Sequence, residues 1–200
     1  MFDAKLRPSI DPPLNFIGAV IAKTGIKANQ ITLSGAILAI GAGLAIAQHH
    51  YLIGLVFIGL NRLFDGLDGA VARATKKTDF GGYLDIVCDF IFYLSVPIGF
   101  AFANQNNQIV ALLLISSFTL TGISFMAYAT LAQKQGLETD EHGQKSFFYN
   151  TGLAEGAETI FVFAIMCLFP NLFVQIALVF IFICLLTIVQ RSINAIKTFK

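Results

Sequence analysis

Six apolar segments, at residues 29–48, 51–75, 79–103, 108–132, 147–169 and 171–196, limit this chain more than any other feature. Each is roughly 20 residues or longer, the length that crosses the hydrocarbon core of a bilayer. Backbone groups in hydrocarbon must satisfy their own hydrogen bonds, so such segments fold as helices. Only 12% of the 200 residues are charged and 56% are hydrophobic, whereas a soluble domain is roughly a quarter charged. The expected fold is an all-α membrane protein, a bundle of six transmembrane helices. The breaks at 49–50, 104–107 and 170–171 are short enough to force an up-and-down order.

Residues 13–24 are too short to span. Leu14, Phe16, Ile17, Val20 and Ile21 lie toward one side of this segment, and Asn15 and Lys23 are polar. That pattern predicts an amphipathic helix lying in the membrane interface. The chain then divides into a cytoplasmic N-terminal segment, residues 1–28, and a six-helix domain, residues 29–200. The first residues are charged, but no apolar run with a small-residue cleavage site follows them, so a cleavable signal is not expected. Cys88, Cys167 and Cys184 are isolated within spans and suggest neither a disulfide framework nor a thiolate zinc site.

Charge sets the orientation. Lys5, Arg7, Lys23 and Lys27 precede the first span, and Arg73, Lys76 and Lys77 separate the second from the third. Lys134 and Lys145 follow the fourth, and Arg191, Lys197 and Lys200 close the sixth. In a six-span arrangement all of these fall on one side, which is cytoplasmic because basic residues collect there. Both termini are expected on that side, in a bacterial inner membrane.

Four carboxylates interrupt the apolar background. Asp65 and Asp68 are three residues apart, on one face at the cytoplasmic end of the second span. Asp85 and Asp89 are four apart, at the start of the third. A short cytoplasmic turn separates the two helix ends, so all four groups can converge. Carboxylates in membrane segments are costly and rarely persist without a function. Hard oxygen ligands in this number suit Mg²⁺ or Mn²⁺, as one ion or a pair, and leave room for phosphate oxygens. Gly66, Gly69, Ala70 and Ala72 keep the helix surface bare beside the acids, open to close approach by a ligand or another helix, and Arg73 offers a fork of donors suited to phosphate. Pairing with interfacial Lys or Arg would explain one or two such acids but not four in helical register. A divalent-cation transporter would spread its acids through the bilayer and often repeat its halves. Here they gather at one leaflet.

The stretch resembles the signature of the CDP-alcohol phosphatidyltransferase family. That signature runs Asp, two residues, Asp-Gly, two residues, Ala-Arg, seven or eight residues, Gly, three residues, Asp, three residues, Asp. Asp65, Asp68, Gly69, Ala72, Arg73, Gly81, Asp85 and Asp89 fill every position. The resemblance implies an enzyme that moves a phosphatidyl or other substituted phosphoryl group from a CDP-linked lipid, such as CDP-diacylglycerol, to an alcohol, and releases CMP. It implies two Mg²⁺ or Mn²⁺ ions on Asp65, Asp68 and Asp85, with Asp89 as a further ligand or neighbour and as general base on the acceptor hydroxyl. Gly69, Ala72, Arg73 and Gly81 would lie against the nucleotide. Partners would be the lipid donor, the alcohol and the bilayer, with no nucleic acid, and a homodimer is expected. The family often opens its first span with Thr-Pro-Asn-x-Ile-Thr. This chain has Lys27-Ala28-Asn29-Gln30-Ile31-Thr32, which places Asn29 and Thr32 at the nucleotide or leaves Asn29 as an ordinary N-cap.

The acceptor is written less plainly. The fifth span opens with Asn150, Thr151, Gly152, Glu155 and Glu158 in a polar, close-approach surface. The two glutamates form an acceptor pocket, or they pair with Arg62 and Arg191 at the same depth. Free glutamates would favour a hydroxyl-rich neutral alcohol or an amine-bearing one. Glutamates offset by Arg62 and Arg191 would admit a phosphorylated acceptor. Thr78-Asp79-Phe80-Gly81 resembles the phosphatidylglycerophosphate synthases, although the fifth span does not match them. His142 is expected to be a solvated loop residue, and His49 and His50 lie on the opposite side of the membrane. Phe173, Phe180 and Phe182 are expected to face lipid.

Overall fold

The computed structural model describes residues 3–136 and 152–200, with side chains from residue 10 onward. Every described element is helical: α1 (Asp3–Lys23), α2 (Ala28–Ala47), α3 (Tyr51–Ala74), α4 (Asp79–Ala103), α5 (Gln108–Lys134), α6 (Gly156–Leu168) and α7 (Phe173–Phe199). Single 3₁₀ turns, Gln105–Asn107 and Pro170–Leu172, join α4 to α5 and α6 to α7. Four of these stretches are long and apolar enough to cross a membrane: Ala28–Ala47, Asp79–Ala103, Gln105–Lys134 and Pro170–Phe199. Of the six segments expected to span, two fall short of that measure. α3 has 24 residues but carries Arg62, Asp65, Asp68 and Arg73, and α6 has only 13 residues.

α2 is the hub of the N-terminal half. It packs closely on both α3 and α4, which touch each other far less. Small residues permit the approach to α4: a Cβ on Gly43 would come within 2.5 Å of the Ser95 carbonyl oxygen, and one on Gly99 within 2.5 Å of the Gly43 carbonyl oxygen. The opposite face of α2 exposes Leu33, Ile37, Ile40 and Leu44 at helical spacing, an apolar surface suited to lipid. The C-terminal half is built on α5 against α7. Aromatic rings join the halves. Phe100 stacks on Phe173 with centroids 4.5 Å apart, and Phe92 meets Phe163 edge-on at 5.7 Å. Phe173 and Phe180 are fully buried in this core, against the expectation that they face lipid, whereas Phe182 is exposed. The difference follows from register: Phe173, Ala177, Phe180 and Cys184 share the buried stripe of α7.

Two elements depart from their expected bounds. α1 begins at Asp3 rather than near residue 13, and it carries Pro12 and Pro13 on an exposed side. It also packs along α3. A Cβ on Gly18 would meet the Ala70 Cβ at 2.5 Å, and one on Gly66 would meet Leu14 Cδ1 at 2.7 Å. Phe16, Ile17 and Val20 remain exposed on its far side. At the other end, residues 152–155 are not helical, so α6 starts nine residues later than the segment expected from residue 147. The cause is local. The N–H groups of Leu153 and Ala154 donate to the Thr187 hydroxyl of α7 (3.2 and 2.9 Å), and that of Gly152 donates to Glu155 Oε1 (2.8 Å). Side chains thus take the place of a helical turn.

Candidate active site

A four-residue turn joins the ends of α3 and α4. The Thr75 hydroxyl donates to the Val71 carbonyl (2.7 Å) and closes α3. Thr78 caps α4, its hydroxyl accepting from the Gly81 N–H at 3.0 Å. Because both helices lean on α2 rather than on each other, a cleft opens between their ends. Asp65, Asp68 and Asp85 face into it, each offering an oxygen within 4.8 Å of the other two. Asp68 is 5% exposed, and its Oδ2 is buried with no hydrogen-bond partner. A buried carboxylate oxygen without a partner costs free energy unless a cation reaches it. Three converging carboxylates with one unsatisfied oxygen fit a hard divalent ion.

Asp89 adjoins this group, its side chain within hydrogen-bond reach of Asp65. Its Oδ1 accepts from an Arg62 terminal nitrogen at 2.9 Å, and the same nitrogen lies 3.7 Å from Asp65 Oδ2. The four expected acids thus lie together, and one of them, Asp89, also pairs with Arg62. Arg62 Nε donates to Asn61 Oδ1 (2.8 Å), and Asn61 Nδ2 donates to the Gly35 carbonyl (2.8 Å).

The residues expected at the nucleotide collect at the same end. Thr32 lies in a small recess with Asp68, Asn61 and Cys88. Asn29 sits in the first turn of α2, with Oδ1 3.3 Å from where a Gly81 Cβ would be. It is not the N-cap: that position is Lys27, whose N–H donates to Gln30 Oε1 at 2.9 Å. Gly69 is open except for the Arg73 guanidinium, 3.2 Å from a Cβ placed there. Arg73 itself donates from Nε to Asn15 Oδ1 of α1 at 2.9 Å. Ala72 is half-buried on the same turn. Gly66 and Ala70, expected to admit a ligand or another helix, receive α1.

A cavity of about 380 Å³ opens on the other side of Asp89, within the size range of small-molecule sites. Arg62, Asp65, Asp89, Glu155 and Arg191 supply its charges, and Thr121, Thr159 and Tyr93 its neutral polar groups. Arg191 is 6% exposed, donates to the Thr121 carbonyl (2.9 Å) and lies 5.3 Å from the Phe125 ring centroid. Glu155 lines the cavity, whereas Glu158 is not among its lining residues. Asn150, Thr151 and His142 lie outside the described residues.

Sequence reasoning missed Asn61, Thr187 and Asn15. A signal existed for two of them. Asn61 is one helical turn before Asp65, and Thr187 is one turn before Arg191, so each is a polar residue on the same face as a charge already singled out.

Comparison with known proteins adds independent observations. The family described as CDP-alcohol phosphatidyltransferase matches residues 26–190. The chain is 42% identical to the inner membrane protein YnjF of Escherichia coli, over 100% of this chain and 98% of that one. It is 30% identical to the archaetidylinositol phosphate synthase of Pyrococcus horikoshii, over 97% of this chain and 96% of that one. Its fold resembles the crystal structure of Mycobacterium tuberculosis phosphatidylinositol phosphate synthase with CDP-DAG bound. The TM-score is 0.67 at 18% identity, covering 90% of this chain and 89% of that one.

Proposed function

The chain belongs to the CDP-alcohol phosphatidyltransferase family, integral membrane enzymes that transfer a substituted phosphoryl group from a CDP-linked lipid to an alcohol, and from that premise we propose how its residues divide the reaction. One observation carries the reading: three carboxylates converge within 4.8 Å, with an unpartnered buried oxygen on Asp68, at the rim of a cavity that Asp89 also lines. Asp65, Asp68 and Asp85 would hold Mg²⁺ or Mn²⁺, one ion or two. When bound, the metal offsets charge on the diphosphate and on the departing CMP. Asn29, Thr32, Gly69, Ala72, Arg73 and Gly81 border the nucleotide.

Asp89 is the general base. It takes the acceptor's hydroxyl proton as that oxygen bonds to the lipid-bearing phosphorus. The bond from that phosphorus to the bridging oxygen breaks, and CMP leaves with the electron pair. The cavity beyond Asp89 receives the acceptor. Its lining sets Arg191 and Thr121 against Glu155 and Thr159, a mixture of donors and acceptors that suits a polyol. The two-glutamate pocket loses support, since Glu158 is not part of the lining. A neutral polyol, or a phosphorylated one of the kind that the name of the archaetidylinositol phosphate synthase implies, is the acceptor class. Glycerol phosphate, the phosphatidylglycerophosphate synthase reading, falls in the second group.

In the membrane, α3 and α6 complete six spans, α1 lies at the interface, and the acids and both termini face the cytoplasm. Blocking of single cysteines by an impermeant reagent at residues 77 and 106 checks this, with labelling from the cytoplasmic side at 77 only. Crosslinking in membranes checks the homodimer. The central experiment incubates purified protein with CDP-diacylglycerol, Mn²⁺ or Mg²⁺, and inositol, inositol phosphate, glycerol phosphate, serine or choline, and follows CMP. Metal-dependent CMP release with a polyol supports the reading. Release without added metal, or full turnover in both Asp68→Asn and Asp89→Asn, refutes it.

A further inference from the structure

Glycines in apolar helices usually let another backbone come close. Gly43 and Gly99 follow that rule, since the nearest atom to a Cβ on either is a backbone carbonyl oxygen. Gly122 of α5 does not. The three atoms nearest a Cβ placed there all belong to the ring of Phe90 of α4: it would overlap Cζ and lie 2.8 Å from Cε1. The bare position thus accommodates a side chain, and both residues line the cavity beside Asp89. Phe90 is half-buried, and Tyr93, a third lining residue, meets its ring edge-on with centroids 6.2 Å apart. A ring pushed off Gly122 has the cavity as open volume beside it. A benzene-sized group needs roughly 150 Å³, a large share of the cavity's 380 Å³ or so.

We infer that Gly122 and Phe90 together determine which size of acceptor the enzyme takes. The bare helix face at Gly122 parks the Phe90 ring against α5 and leaves room for a bulky acceptor such as a cyclic polyol. Any side chain at position 122 returns the ring to the cavity and restricts it to small alcohols. The inference rests on the assignment of this cavity to the acceptor, proposed above. Neither residue brings polar chemistry to the site, so both act by excluded volume, and a clash built against one ligand discriminates as well as a contact made to another. Alanine forms helix better than glycine, so a helix interior gains nothing from glycine at 122 unless the space above it is used.

The test uses the full-length protein in lipid nanodiscs and follows CMP release from CDP-diacylglycerol. The larger acceptors are inositol and inositol phosphate, and the smaller ones glycerol and glycerol phosphate. The readout is the ratio of kcat/KM for the larger acceptor to that for the smaller, within the neutral pair or the phosphorylated pair. Gly122→Ala should lower this ratio by about tenfold, the scale on which a pocket senses one carbon group. Phe90→Leu in the Gly122→Ala background should restore most of it, because the shorter side chain no longer meets the new Cβ. Phe90→Trp, which adds bulk without touching α5, should lower the ratio in the same direction and serves if Gly122→Ala fails to fold. A wild type that does not turn over the larger acceptors overturns the inference. So does an equal loss for both sizes in Gly122→Ala, or a loss that Phe90→Leu leaves in place. Arg191→Ala separates the two levels. If it raises acceptor KM while the Gly122 series shows no size dependence, only the size role falls. If it raises donor KM and leaves acceptor KM unchanged, the cavity does not belong to the acceptor, and this inference falls with that assignment.

Discussion

The acidic cleft between α3 and α4 and the cavity bordered by α5, α6 and α7 meet at Asp89, yet they treat polar groups in opposite ways. In the cleft, like charges crowd together and Asp68 Oδ2 is buried with no partner. Around the cavity, polar groups are matched to one another. Gly152 donates to Glu155, Leu153 and Ala154 donate to Thr187, and Arg191 donates to the Thr121 carbonyl. The cleft is incomplete until a cation arrives, whereas the cavity is organised before any ligand enters. Charge neutralisation from outside can compensate the first arrangement. Selectivity among similar alcohols needs the second, because a buried group left unpaired by the wrong ligand discriminates strongly.

The contrast is broken most severely at the acids. Asp89→Asn and Asp68→Asn should each lower CMP release by about 100-fold or more. Asp68→Asn should also reduce Mn²⁺ binding, read from the electron paramagnetic resonance signal of the free ion. Unchanged Mn²⁺ binding in Asp68→Asn would remove the metal from the cleft. Arg191→Ala comes next. It should raise acceptor KM by about tenfold, equivalent to about 1.4 kcal/mol, while donor KM stays near wild type. An equal rise in donor KM would show that the cavity does not belong to the acceptor. Thr187→Val keeps the shape of the side chain but leaves the Leu153 and Ala154 N–H groups without their acceptor. It should destabilise by about 1–3 kcal/mol and raise acceptor KM a few-fold, read from thermal unfolding in detergent and from kinetics. Smallest is Asn15→Ala, which releases Arg73 from α1 at an exposed site. It should raise donor KM by about threefold or less and leave acceptor KM unchanged. A larger effect would move α1 from support to substrate contact.

Much of the cleft was legible in advance. The spacings of Asp65, Asp68, Asp85 and Asp89 place pairs on single helix faces, and a short turn between two helices brings those faces to one end. The cavity was harder to read, because its polar partners come from distant segments. The Thr121 carbonyl is a backbone group with no sequence signature. Thr187 reads as one more residue of an apolar helix until residues 152–155 are seen against it. Glu155 and Glu158 look equivalent in sequence, three residues apart. The non-helical start of α6 puts them in different surroundings and leaves one on the cavity. Gly66 and Ala70 were open in sequence to a ligand or to another helix, and the packing of α1 on them decides for the helix.

Sequence alone determined that the chain lives in a bilayer, that it is helical, and that its chemistry centres on carboxylates suited to a divalent cation on a CDP-linked donor. All but the CDP-linked donor rest on composition and on short periodic spacings, which are local properties; the donor rests on the resemblance to the family signature. The tertiary structure decided the rest: that α2 holds α3 and α4 apart to make a cleft, that Arg62 pairs with Asp89 beside the other acids, and that Arg191 shares a cavity with Glu155 but not Glu158. Each of these depends on the relative rotation and depth of helices far apart in the chain, and packing of side chains in three dimensions sets those quantities.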